Sequence, residues 1–70
     1  MNEDAKIVGW QIWKQPRGQA SETYFYPKWE DVKADWDKII NSNEDCTAAL
    51  QEVWFDGENE SYKDIDYWGI

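Results

Sequence analysis

The sequence predicts a small α+β fold, an antiparallel four-stranded sheet with one helix on one face, in the order ββαββ. Three observations carry this. One segment has helical apolar spacing, four short segments are rich in β-compatible aromatic and branched residues, and turn signals separate them. At 70 residues the chain has the length of a single domain, taken here as 1–70. Its twelve aromatic residues, six of them Trp, supply large side chains for a core despite a net charge of −8.

Residues 1–6 are polar and are expected to fray. Residues 7–14, Ile-Val-Gly-Trp-Gln-Ile-Trp-Lys, read as a strand. Regular alternation would place Val8, Trp10 and Ile12 on one face and Ile7, Gln11 and Trp13 on the other. Gly9 inside that strand signals a bulge or close packing under a Trp. Residues 15–21 contain Pro16 and Gly18 and form a turn. Residues 23–26, Thr-Tyr-Phe-Tyr, complete a hairpin.

Pro27 suits the first turn of a helix. Trp29, Val32, Trp36, Ile39 and Ile40 then form one helical stripe. Glu30 and Asp31 near the helix start and Lys38 near its end agree with the helix dipole. Asn41-Ser42-Asn43 ends the helix. Residues 44–54 fit either a helix or a strand. The strand reading is favoured because Val-Trp-Phe runs into the Asp56-Gly57 turn, and the helical alternative is ββααβ. Ala49, Val53 and Phe55 would share one side. Tyr62 to Trp68 forms the last strand, with Lys63, Ile65 and Tyr67 facing one way and Tyr62, Asp64, Asp66 and Trp68 the other.

A single helix covers one face of such a sheet. Val8, Trp10, Ile12, Phe25, Val53, Phe55, Ile65 and Tyr67 are assigned to the covered face. Trp13, Tyr24, Tyr26, Trp54, Tyr62 and Trp68 are assigned to the other.

Composition excludes several functions. Without His there is no His-based triad or His-ligated zinc, and one Cys builds neither a disulfide nor a thiolate cage. Acids beside Cys46 disfavour a reactive thiol. The acidic balance argues against direct nucleic-acid binding and against anionic membranes. No apolar run reaches membrane-spanning length, and the first residues lack the pattern of a signal peptide. A cytoplasmic location, in a bacterium or a virus-infected host cell, is expected. The carboxylate pairs Asp31/Asp35 and Asp64/Asp66 lack the pocket that catalysis wants, so no catalytic residue is assigned and no enzyme is expected. Asp56, Glu58 and Glu60 around Gly57 lack EF-hand spacing, so neither a metal nor a cofactor is expected.

The acids are segregated. Residues 1–35 carry a net −1 and residues 36–70 a net −7, with Lys63 the only base between Glu44 and Asp66. An acidic surface that docks on a basic partner protein is therefore expected. The partner would be a nucleic-acid enzyme whose basic cleft is capped. In size, charge and aromatic content alone, the chain resembles DNA-mimicking inhibitors, many of them phage-encoded, and the immunity proteins of nuclease toxins. That likeness carries over no residues. The expected contact set is Glu44, Glu52, Asp56, Glu58, Glu60, Asp64 and Asp66, with Trp54, Tyr62 and Trp68 as aromatic anchors. The alternative is an accessory protein that forms a homodimer, or joins a complex, through an aromatic sheet face. A carbohydrate-binding face is a more distant reading.

Overall fold

The computed structural model describes residues 5–69. Strands β1 (Lys6–Pro16) and β2 (Glu22–Tyr26) are followed by helix α1 (Trp29–Asn41), then by β3 (Cys46–Phe55) and β4 (Glu60–Trp68). The order is the predicted ββαββ, and residues 46–55 are strand rather than helix. All pairings are antiparallel, with spatial order β2-β1-β3-β4. The long strands β1 and β3 form the centre. Of the residues expected to fray, 1–4 lie outside the described residues and Lys6 belongs to β1.

Helix α1 begins after Lys28, with Pro27 one residue before that cap and outside the first turn. Glu30 and Asp31 sit in the first turn and Lys38 in the last. Asn43 closes the helix in the left-handed region, at φ 53°. Its N–H donates to Ile40 O at 3.2 Å, and the Glu44 N–H donates to Ile39 O at 3.5 Å. These two bonds are the Schellman pattern, with Asn in the position Gly usually takes.

Val32, Trp36 and Ile39 of the predicted stripe are buried against Ile12, Ala48 and Leu50 of the sheet. Trp10, Tyr26, Ile40, Cys46 and Trp68 pack around them, half-buried. Trp29 remains exposed and meets Trp10 with ring centroids 5.6 Å apart and planes tilted by 59°.

The predicted face assignments change for two reasons: the helix covers the Tyr24 and Tyr26 side of β2 and the Trp54 side of β3, and two bulges shift the alternation in β1 and β4. Ile7 pairs with Trp54 and Gly9 with Val53, so Val8 is an extra residue in β1. Leu50 pairs with Asp66 and Gln51 with Asp64, so Ile65 is an extra residue in β4. Directly paired residues share a face. The helix-side rows are therefore Tyr24–Ile12–Leu50–Asp66, Tyr26–Trp10–Glu52–Lys63 and Ile7–Trp54–Ser61, with Ala48–Trp68 beside them. Tyr24, Tyr26, Trp54 and Trp68, expected on the open face, lie on the helix side. Phe25, Val53, Phe55 and Tyr67, expected under the helix, lie on the open face. Trp10 and Ile12 keep their predicted side, as do Trp13 and Tyr62. Asp64 and Asp66 do not share a face.

Among the described residues Trp36 is the largest fully buried side chain, and its Nε1–H has no hydrogen-bond partner. Truncation to Ala should remove about 3–5 kcal/mol. A domain of this size has about 4–10 kcal/mol in total. Trp36→Ala should therefore unfold at much lower urea or fail to fold. Trp36→Phe deletes the orphaned donor, whose burial costs about 1–3 kcal/mol, and offsets part of the lost volume. Urea melts should place Trp36→Phe far closer to the parent than to Trp36→Ala.

Candidate functional site: the open sheet face

The sheet face away from α1 has no covering element among the described residues. Three cross-strand rows build its centre: Thr23–Trp13–Ala49–Tyr67, Phe25–Gln11–Gln51–Asp64 and Gly9–Val53–Tyr62. Lys6–Phe55–Glu60 forms the outer row. Strand geometry spaces these rows by about 7 Å.

Small residues let the aromatic side chains lie low on this face. A Cβ at Gly9 would come within 2.5 Å of Phe25 Cζ and 2.7 Å of Tyr26 O. Only Gly permits that approach, so the close contact expected under a Trp is with Phe25. Ala49, between Trp13 and Tyr67, is buried, and so is Val53, between Gly9 and Tyr62. The rings themselves stay open to solvent: Phe25 is 54% exposed, Phe55 39%, Tyr62 52% and Tyr67 53%.

A polar chain crosses the face through this aromatic ground. Gln11 Nε2 donates to Gln51 Oε1, and Gln51 Nε2 donates to Asp64 Oδ1 at 2.7 Å. Tyr67 Oη donates to Asp64 Oδ2 at 2.6 Å. The direction of the chain follows from the carboxylate, which when ionised only accepts. The Gln51 NH₂ must face Asp64, its carbonyl must face Gln11, and Gln11 must donate. Tyr67 first and Gln51 second hold Asp64 below the ordinary carboxylate range. The same bond pushes the Tyr67 hydroxyl up.

The expected contact residues are spread over the molecule. Glu60, Tyr62 and Asp64 lie on the open face, and Tyr62 Oη donates to Glu60 Oε1 at 3.2 Å. Asp56 and Glu58 occupy the β3–β4 turn. Asp56 Oδ1 accepts from the backbone N–H of Asn59 at 2.7 Å and of Glu58 at 2.9 Å. These two bonds hold the Asp56 carboxyl below its ordinary range. Gly57, at φ 102°, makes the turn possible. Glu52, Trp54, Asp66 and Trp68 face the helix side. Trp54 Nε1 donates to Glu52 Oε1 at 3.1 Å. Trp68 packs against the core and donates from Nε1 to Glu44 O at 3.1 Å. Glu44 sits before β3, paired with Lys14 Nζ at 2.6 Å.

The pair Asp31/Asp35 is also divided. Asp35 is half-buried, accepting from Tyr26 Oη at 2.7 Å and lying 3.7 Å from Lys38 Nζ, while Asp31 is exposed. Burial, followed by the negative charge of Glu44, pushes the Cys46 thiol up and away from reactivity.

Charge pairing separates the two parts of the acidic half. Among the described residues, ion pairs engage Glu44 with Lys14, Asp45 with Arg17, Asp37 with Lys33, and Asp35 with Lys38. None engages Glu52, Asp56, Glu58, Glu60, Asp64 or Asp66 of the β3–β4 hairpin. The hairpin is thus the part of the acidic half without ion pairs, and Lys63, opposite Glu52, is its single base.

Sequence reasoning did not assign Gln11, Phe25, Gln51, Phe55 or Tyr67 to the site. The signal was present at Gln51, which sits between Ala49 and Val53 on the β3 side that was assigned to the core. A Gln at the centre of a strand face marks the solvated side.

No family model, curated protein or solved structure matches this chain. No helix of the described residues is long and apolar enough to cross a membrane.

The Asp64 network gives a direct test. In a carboxyl NMR titration Asp64 should protonate below the usual value of about 3.9. Tyr67→Phe removes the larger of the two stabilising bonds and should move that midpoint upward, toward the ordinary range. An unmoved midpoint would contradict the network.

Proposed function

We propose that the protein is a non-catalytic binding module that docks on a basic surface of a partner protein. The reading rests on one observation. An exposed aromatic face, with Phe25, Phe55, Tyr62 and Tyr67, adjoins a hairpin whose acids make no ion pair among the described residues. Such a surface attracts a positive partner at long range. Desolvated rings then supply affinity at contact. The basic cleft of a nucleic-acid enzyme is the partner this chemistry fits best, and the protein would act there as an inhibitor.

A homodimer through the same face is disfavoured. It would set Asp64 and Glu60 of one copy against the same open face of another, where Lys6 is the one base in the described rows, and the excess of like charge opposes association. A strict monomer in sedimentation at high concentration agrees with the docking reading.

The decisive experiment is capture of partners from a lysate of the source organism, or of its host if the protein is viral. Identification follows at about 0.1 M and about 0.5 M salt, a change that roughly halves the Debye length. A basic nucleic-acid enzyme held at low salt and mostly released at high salt is the expected result. Nucleic acid should compete with the protein for that enzyme. A partner held equally at both salts would contradict charge-driven docking.

A further inference from the structure

We infer that Asp64 is the anchor of the docking face and that it receives an arginine guanidinium of the partner, in preference to a lysine ammonium. This rests on the docking reading above and names its central contact. A carboxylate offers about four acceptor sites, two on each oxygen. Gln51 occupies one on Oδ1 and Tyr67 one on Oδ2. One site remains on each oxygen, which is the pattern that a guanidinium fork fills with two parallel bonds.

The surroundings select the same ligand. Along β4, Asp64 lies between Tyr62 and Tyr67 on one face, and both rings are about half exposed. Aromatic rings beside a carboxylate suit a planar cation, which stacks while it forms hydrogen bonds. A lysine ammonium is a more strongly hydrated point charge and uses neither the fork nor the stack. The Gln11–Gln51 chain fixes the carboxylate from two neighbouring strands, so little side-chain order remains to be lost on binding. Asp64 has no cationic partner of its own among the described residues. The net charge of −8 also favours a basic occupant.

The bulge at Ile65 supplies a matched control. Asp66 lies two residues away on the same strand but on the opposite face. Asp64→Asn and Asp66→Asn remove the same charge from nearly the same place. Binding of hepta-arginine and hepta-lysine peptides to the whole protein would be measured by titration at low salt.

Asp64→Asn should weaken hepta-arginine by about tenfold, as expected for loss of a bidentate charge-assisted contact. Asp66→Asn should weaken it only slightly, and hepta-lysine should barely distinguish the two variants. Tyr67→Phe, which keeps the charge but frees one carboxylate oxygen, should give a smaller loss with hepta-arginine alone. Equal losses in the two Asn variants would overturn the anchor and leave salt-sensitive acidic docking intact. An equal Asp64→Asn effect on both peptides would overturn the guanidinium preference. No binding of either peptide to the parent protein would overturn the docking reading and the anchor together.

Discussion

Strand side chains alternate, so the face a residue occupies depends on counting, and two extra residues change the count in this protein. Val8 in β1 and Ile65 in β4 have no cross-strand partner. Each reverses the alternation for the residues beyond it. At Ile65 the consequence is chemical. Tyr67 is brought onto the face of Asp64 and Tyr62, while Asp66 and Trp68 turn toward the helix. Without that extra residue, Tyr67 and Asp64 would stand on opposite faces and the hydrogen bond between them could not form. The Tyr67 bond to Asp64 and the second aromatic flank of that carboxylate both follow from it.

The helix side answers a different requirement. One 13-residue helix must bury enough apolar surface to hold a four-stranded sheet. Trp36 is the largest side chain it buries, at the cost of an indole N–H without a partner among the described residues. The other sheet face is then released from core duty. Its small central residues, Gly9 and Ala49, let Phe25, Trp13 and Tyr67 lie against the strands without a second layer above them. That economy leaves large rings in solvent, beside a hairpin whose carboxylates make no ion pair among the described residues.

The architecture was legible in the sequence because it rests on local signals. The stripe from Trp29 to Ile40 specifies a helix, and Asp56-Gly57 specifies a turn. The run from Thr47 to Phe55, ending in that turn, specifies a strand. The faces were legible only where no bulge intervenes: Trp10, Ile12 and Trp13 keep their predicted sides, and so do Ala49, Val53 and Phe55 relative to one another. What failed was the choice of covered side for β2 and β3, together with the register beyond Ile65. No residue type marks that bulge, since Ile65 reads as an ordinary strand residue. Tyr24 and Phe25 are equally apolar to a periodicity argument, and only pairing with Ile12 and Gln11 separates them. Of the candidate site, Asp64, Tyr62 and Glu60 were found from charge and aromaticity. Gln11, Gln51 and Tyr67 belong to it through pairing across strands, which composition does not encode.

Electrostatics and burial meet at the open sheet face, which we propose, rather than the helix, as the surface that contacts the partner. The most direct test is an NMR footprint of the protein bound to the basic partner captured at low salt. Resonances of Phe25, Phe55, Tyr62, Tyr67 and the Gln51 side-chain amide should shift or broaden, while those of Trp29 and the outer face of the helix stay in place. A footprint centred on the helix, with the open face unchanged, would contradict the account.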